Sequence, residues 1–166
     1  MILSLTGFMG CGKSSTGRAL AARLGARFVD LDEEIVVRAG RPIPDIFRDG
    51  EAAFRAAELE TLRAVLDAAD AARGDTVLAL GGGALTLPEA RDLIFSRTCC
   101  IWLRTRLETI RQRLGDADAT RPLFANADAL YASREPLYAQ APSAVDTDGK
   151  TPGEVAGEIE ALCTKS

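Results

Sequence analysis

Histidine is absent from this sequence of 166 residues, and so is any pair of cysteines with CxxC spacing. The side chain that most often works as an acid or base near neutral pH is therefore missing, and so are the usual zinc patterns. The four cysteines are best interpreted as free thiols in a reducing compartment. Apolar runs stay well below the roughly 18 residues of a membrane-spanning helix, and the first residues lack the basic segment of an export signal. We therefore expect a cytoplasmic protein without a membrane partner.

Excess positive charge is lacking as well. The net charge is −4 and the pI is near 5.0, which argues against nucleic acid as a partner and leaves anion binding to local sites. Lysine occurs only at positions 13, 150 and 165, so arginine supplies most of the positive charge. The balance of apolar and charged residues is that of an ordinary globular protein. The length favours a single domain over residues 1–166, and we expect a monomer.

Glycine, by contrast, is concentrated near the start of the chain. Residues 7–14 read GFMGCGKS and match the phosphate-binding pattern GxxxxGK(S/T) at every position. The apolar run Ile2–Thr6 precedes this loop and a helix-favouring stretch, residues 15–24, follows it, so strand, loop and helix occur in the required order. Lys13 would reach the β- and γ-phosphates and the Ser14 hydroxyl would bind Mg²⁺. A simple glycine-rich turn with a solvated lysine fits less well, because the pattern is complete.

Two acids, Asp30 and Asp32, lie at the end of the second predicted strand, residues 26–31. On an extended segment these carboxylates would point the same way, at the edge of the sheet where the loop lies. One could hold Mg²⁺ through water, and the other could orient or deprotonate an attacking hydroxyl. Taken alone, the residues fit a helix N-cap with first-turn acids better, ahead of a helix over residues 33–39.

Residues 45–66 are predicted to form one or two helices, broken around Gly50. Arg55 and Glu58 share a face of this helix, and a guanidinium held by a carboxylate is a good fork for a substrate carboxylate. For a helix taken alone, an exposed ion pair is the better interpretation.

The third predicted strand, residues 76–80, runs into three glycines, residues 81–83. Close approach of a ligand to the backbone explains this costly run better than a flexible turn does.

The rest of the chain continues the alternation of strands and helices. Helices are predicted at residues 88–96, 105–114, 127–140 and 151–163, and strands at residues 98–103 and 143–146. Residues 115–127 form a loop of the length of a lid, from which Arg121 could reach a γ-phosphate, although a surface loop with an incidental arginine is the alternative. The alternation predicts an α/β fold, with a parallel sheet and helices on both faces.

Six segments, taken in order, resemble the shikimate kinases of the P-loop nucleoside-monophosphate-kinase-like group. They read GFMGCGKSSTGRALA, FVDLDEEI, IFRDGEAAFRAAE, LGGGA, TRPL and SREPLYAQAPSAVDT. The resemblance implies a three-layer P-loop fold with a five-stranded parallel sheet, a substrate-binding helical segment at about residues 33–63 and a lid at about residues 113–127. It also implies ATP-dependent phosphorylation of the 3-hydroxyl of shikimate, with Mg²⁺ as cofactor, in aromatic amino acid biosynthesis.

The resemblance further implies roles for individual residues. ATP would be bound by Gly10, Cys11, Gly12, Lys13, Ser14, Ser15, Arg113 and Arg121. Shikimate would be bound by Asp32, Arg55, Glu58, Gly82, Gly83 and Arg134, with the two arginines clamping its carboxylate. Ser14 and Asp30 would be the metal ligands. Lys13, Asp32 and Arg121 would be catalytic, Asp32 as the acid that contacts the substrate hydroxyls and can act as a base.

Two other functions are compatible with a P-loop protein of this size. A gluconate-type small-molecule kinase would keep the loop and lose the carboxylate clamp, so Arg55, Arg134 and the three glycines argue against it. A non-catalytic module that senses shikimate would not need an intact phosphate lysine and catalytic acid. The presence of Lys13, Asp32 and Arg121 therefore favours an enzyme.

Overall fold

Five parallel strands form one sheet in this computed structural model, which describes residues 1–114 and 126–163. The strands are β1 (Ile2–Thr6), β2 (Arg27–Asp30), β3 (Thr76–Ala79), β4 (Cys99–Arg104) and β5 (Ser143–Asp146). Their order across the sheet is β2-β3-β1-β4-β5, and every pairing is parallel. The register places Leu3 of β1 between Val77 and Cys99. The predicted five-stranded parallel sheet is confirmed.

Helices connect the strands and cover both faces of the sheet. Within the described residues they are α1 (Lys13–Leu24), α2 (Leu31–Ala39), α3 (Ile43–Arg48), α4 (Glu51–Ala71), α5 (Pro88–Arg97), α6 (Leu107–Leu114), α7 (Ala127–Tyr138) and α8 (Pro152–Cys163). None of the helices in the described ranges is both long enough and apolar enough to cross a membrane. The predicted break around Gly50 is confirmed, because Gly50 has a φ of 106° and separates α3 from α4.

The core has two parts, one on each face of the sheet. On one face, Leu3, Leu5 and Val77 pack with apolar residues of α1 and α8. On the other, strand residues such as Leu78 and Trp102 pack with apolar residues of α4, α5 and α7. Alternate residues of each strand point to opposite faces, which is why a run of consecutive apolar residues serves both clusters. The fold is therefore the predicted three-layer α/β arrangement.

The strand order determines where a ligand can bind. Strand β1 lies in the middle of the sheet, with β3 on one side and β4 on the other. In open parallel sheets, a crevice forms at the carboxyl ends of the strands where the order of connection reverses. The loop after β1 lies at this position, and the segments that follow β2 and β3 reach the same edge.

The second strand ends earlier than predicted. We expected it to continue to Leu31, but Asp30 is its last residue and α2 begins at Leu31. The side chain of Asp30 accepts hydrogen bonds from the N–H groups of Asp32 and Glu33, which starts the helix at this point. The premise that Asp30 and Asp32 share an extended segment is therefore wrong. The predicted lid loop lies mostly outside the described residues.

Helix α1 packs closely on β2 because residue 17 has no side chain. A Cβ added at Gly17 would lie 2.5 Å from the ring of Phe28. We therefore expect Gly17→Ala to lower the free energy of unfolding by about 1–3 kcal/mol through overpacking. Gly157→Ala on α8 is the matched control, since its Cβ would meet only ordinary contacts, 3.7 Å from Arg23. That change should raise the free energy of unfolding by about 0.5–1 kcal/mol through helix propensity.

Urea denaturation of both variants would measure these two changes. Equal stability of the Gly17 variant and the unmodified protein would contradict the tight packing of α1 on β2.

Candidate active site at the carboxyl ends of the strands

The loop between β1 and α1 has the backbone geometry of an anion-binding turn. Gly10 and Gly12 have φ values of 74° and 94°, a region that favours glycine. Gly12 is the N-cap of α1 and has no side chain with which to occupy the helix N-terminus. The ammonium group of Lys13 folds back over the loop, where it donates to the carbonyls of Gly7 at 2.8 Å and Phe8 at 3.1 Å. Positive charge and helix N–H groups are thus brought together.

Ser14 and Asp30 form the donor set next to this loop. The Ser14 hydroxyl donates to Asp30 Oδ2 at 2.5 Å, while Asp30 Oδ1 accepts the N–H of Asp32 at 3.0 Å. The N-cap interpretation of Asp30 is therefore correct, and the same carboxylate also contacts the loop. A hydroxyl and one carboxylate are the hard oxygen donors that suit Mg²⁺ in proteins that bind it together with phosphates. These two residues fit the predicted metal.

Asp32 lies in the first turn of α2 and faces the three glycines. A Cβ added at Gly81 would lie 2.9 Å from Asp32 Oδ1 and 2.9 Å from Glu58 Oε1, so both carboxylates approach this glycine. Burial raises the pKa of Asp32, and the charge of Asp30 raises it further, while Lys13 and Arg55 oppose the shift. The carboxylate of Asp32 is therefore a stronger base than that of an exposed aspartate.

Arg55 is half-buried and pairs with the buried Glu58, so the alternative of an exposed ion pair is wrong. Glu58 is 1% exposed and its Oε2 accepts from Arg55 Nη1 at 2.6 Å. Burial raises the pKa of Glu58, and the hydrogen bond with Arg55 opposes this. Within the part of the chain that the structure describes, Arg55 Nε and Glu58 Oε1 have no hydrogen-bond partner. The pair thus leaves polar atoms for a further group.

The three glycines make room for the guanidinium groups of two distant helices. A Cβ added at Gly83 would lie 2.3 Å from Arg55 Nη2, and one at Gly82 would lie 3.5 Å from Arg134 Nη1. Two arginines from α4 and α7 therefore meet at adjacent glycines. We predicted close approach of a ligand as the reason for the glycine run. In the structure, neighbouring side chains of the protein leave no room for a Cβ at Gly81 and Gly83, so these positions require glycine even without a ligand.

Two cavities meet at the phosphate loop. One of about 310 Å³ is lined by residues that include Lys13, Ser14, Asp30, Asp32 and Gly82, and we call it the Asp32 cavity. The other, of about 290 Å³, is lined by residues that include Cys11, Arg113, Thr147, Lys150 and Pro152, and we call it the Pro152 cavity. Gly10, Gly12 and Ser15 line both. A ligand in one cavity could therefore contact a ligand in the second cavity across the loop.

Arg113 lies on the wall of the Pro152 cavity, and its contact with ATP stays a prediction. It donates to the carbonyl of Cys11 at 3.3 Å and to that of Thr147 at 3.0 Å. The thiol of Cys11 is buried in the core, so Cys11 presents only its backbone here. Thr147, Lys150 and Pro152 were missed from the sequence. Thr147 ends one of the six matching segments without an assigned role, Lys150 and Pro152 lie outside those segments, and all three reach the loop only through the pairing of β5 with β4 and the packing of α8 on α1. The predicted lid arginine, Arg121, lies outside the described residues.

The family model for shikimate kinase matches residues 9–164 of this chain. The chain belongs to the shikimate kinase family. A shikimate kinase from Nitrobacter winogradskyi is 45% identical over 84% of this chain, which spans 65% of that protein. One from Ruegeria pomeroyi is 41% identical over 97% of this chain and 84% of its own length.

A solved structure, the shikimate kinase from Acinetobacter baumannii in complex with shikimate, superposes on the chain with a TM-score of 0.87. It is 34% identical and the match covers 99% of this chain and 93% of that one. The resemblance inferred from six sequence segments is therefore confirmed, and with it the prediction of a kinase rather than a non-catalytic module. The roles of single residues stay predictions.

Proposed function

We propose that this protein transfers the γ-phosphoryl group of ATP to the 3-hydroxyl of shikimate, giving shikimate 3-phosphate and ADP. The observation that carries this proposal is the convergence of Arg55 and Arg134 at Gly83 and Gly82, beside the Asp32 cavity. Two guanidinium groups form a site for a small carboxylate. Lys13 and the start of α1, on the other side of the same cavity, form a site for phosphates.

We place the nucleotide in the Pro152 cavity, with its phosphates along the loop. The N–H groups of Gly12 and of the first turn of α1 would hold the phosphate oxygens, and Lys13 would exchange the carbonyls of Gly7 and Phe8 for the β- and γ-phosphates. Mg²⁺, held by Ser14 and Asp30, would neutralise charge on these phosphates. Arg113 would lie against the base of the nucleotide. We propose that Arg121 adds positive charge near the γ-phosphate.

Asp32 is proposed to orient the 3-hydroxyl and to accept its proton. In the transfer, a bond forms between the hydroxyl oxygen and the γ-phosphorus, the bond to the bridging oxygen breaks, and the electron pair leaves with ADP. The raised pKa of Asp32 suits a proton acceptor, although phosphoryl transfer depends more on alignment and on charge than on a base.

The shikimate carboxylate is proposed to lie between Arg55 and Arg134. Glu58 holds the Arg55 guanidinium at 2.6 Å, so little rotamer freedom is lost when a ligand binds. The N–H groups of Gly82 and Gly83 donate to no oxygen of residues 1–114 or 126–163. They could therefore add backbone hydrogen bonds to the substrate.

A coupled assay of ADP release tests this proposal. We expect rapid ADP release with shikimate, at least about 10²-fold faster than with gluconate, because gluconate is a flexible open chain that must be ordered before its carboxylate and a hydroxyl can reach both sites at once. Chelation of Mg²⁺ should abolish the reaction. Equal or faster turnover of gluconate would indicate the gluconate-type kinase, and tight shikimate binding without ADP release would indicate a sensor.

A further inference from the structure

The chain contains two tyrosines, and both lie on α7. Tyr138 is the last residue of this helix, and its ring is 2% exposed and packs against Trp102, with 6.2 Å between the ring centres. Its hydroxyl donates to the carbonyl of Gly82 at 2.6 Å. Burial raises the pKa of Tyr138, with only partial opposition from nearby Arg134, so the hydroxyl keeps its proton and remains a donor.

This hydrogen bond ties the glycine run, residues 81–83, to helix α7. The carbonyl of Gly81 accepts from Ala84 N at 3.1 Å, and that of Gly83 from Thr86 N at 3.0 Å, so these two are tied within the loop itself. Within the described residues, the carbonyl of Gly82 accepts from Tyr138 and from no other donor. Glycines have little intrinsic preference for one orientation, so a single external bond can decide it.

Fixing the Gly82 carbonyl also fixes the N–H of Gly83. The two groups belong to one peptide plane, and in a trans peptide they point in opposite directions. Tyr138 therefore determines where the Gly83 N–H points. Gly83 is also the glycine against which the Arg55 guanidinium lies. One turn earlier on α7, Arg134 lies against Gly82.

We propose that Tyr138 is a positioning residue for the acid substrate: its hydroxyl fixes the Gly82–Gly83 peptide so that the Gly83 N–H points at the substrate carboxylate, beside the Arg55 guanidinium. This inference rests on the proposed function, because it assumes an acid in the Asp32 cavity. Helix α7 then has two roles: Arg134 supplies a positive charge, and Tyr138 orients a neutral donor, the Gly83 N–H. Tyr138 does not touch the reacting atoms.

Tyr138→Phe tests this inference, and Tyr131→Phe is its matched control. The control removes a hydroxyl from the same helix that also donates to a backbone carbonyl, that of Thr105 at 2.8 Å, away from the glycine run. We expect Tyr138→Phe to raise the KM for shikimate about tenfold, the scale of a lost or misdirected hydrogen bond, with the KM for ATP within about twofold. Tyr131→Phe should leave the KM for shikimate within about twofold of the unmodified protein.

A donor restored at position 138 should restore binding. Tyr138→4-aminophenylalanine keeps an N–H donor on the same ring and should return the KM for shikimate to within about threefold of its original value. If both Phe variants lower the unfolding temperature equally while the KM for shikimate stays unchanged in each, Tyr138 has only a structural role and the inference is overturned.

A second measurement needs no substrate. Amide hydrogen exchange in a peptide that covers residues 80–86 should be faster in Tyr138→Phe than in Tyr131→Phe, because the Gly82–Gly83 peptide loses its outside support. Unchanged exchange would overturn the inference even if the protein phosphorylates shikimate. Faster exchange in a protein that is inactive on shikimate would support the positioning of the loop and reject the proposed function.

Discussion

Replacement of Asp32 by asparagine is expected to lower kcat for shikimate by about 10²-fold or more, with the KM for ATP within about threefold. The amide keeps the shape and can still contact a hydroxyl, but it cannot accept the proton. It also removes a negative charge that would orient the hydroxyl against the γ-phosphorus. Steady-state kinetics with both substrates varied would measure the effect.

The same replacement should not destabilise the protein. Because the pKa of Asp32 is raised on folding, the protonated form favours the folded state, and this stabilisation is lost as pH rises from the ordinary value through the raised one. Asparagine resembles the neutral form, so at neutral pH the unfolding temperature of the variant should equal or exceed that of the unmodified protein. A loss of activity together with retained stability would separate a catalytic role from a structural one.

Glu33→Gln is the control for Asp32→Asn. Glu33 is the next residue on α2, is exposed, and pairs with Arg18 on the surface, so its charge should have no effect on turnover. Unaltered kcat in Asp32→Asn would remove Asp32 from the chemistry. Equal losses in both variants would mean that overall negative charge on α2 matters and Asp32 does not act alone.

The phosphate loop could be predicted from the sequence because its parts are local. Residues 7–15 supply a turn, a helix start, a lysine and a serine, and none of these depends on a distant contact. The two acids were correctly expected near this loop, but for the wrong reason. The backbone turns into α2 at Leu31, so Asp30 is an N-cap and Asp32 a first-turn residue.

The rest of the site depends on contacts that no local pattern reveals. Thr147 and Pro152 reach the Pro152 cavity only because β5 pairs with β4 and α8 packs on α1. The need for glycine at position 83 arises from the guanidinium of Arg55 on another helix. From sequence, the run of glycines signalled a close approach without showing which atoms come close. The role of Arg121 stays a prediction.

Arg134→Ala is expected to raise the KM for shikimate about 10²-fold, because truncating one partner of a charge-assisted contact leaves the substrate carboxylate poorly paired. The KM for ATP should stay within about twofold, since Arg134 lies at Gly82 while the proposed nucleotide site, the Pro152 cavity, is lined by Arg113 and Pro152. Arg134→Lys keeps the positive charge but loses the paired N–H donors of the guanidinium, so it should recover only part of the affinity for shikimate. Steady-state kinetics would measure both changes.

The thermal shift caused by shikimate alone checks the same contact without turnover. A ligand that binds only the folded protein raises its unfolding temperature, so the shift seen in the unmodified protein should shrink in Arg134→Ala. Arg63→Ala is the control: Arg63 lies on α4, pairs with Glu89 on the surface, and should keep both the shift and the kinetics. Equal rises in KM for both substrates in Arg134→Ala would show that α7 supports the whole site, and the assignment of the clamp to a carboxylate would fail. A selective rise would instead tie the choice of an acid substrate to two arginines that reach adjacent glycines from two different helices, α4 and α7.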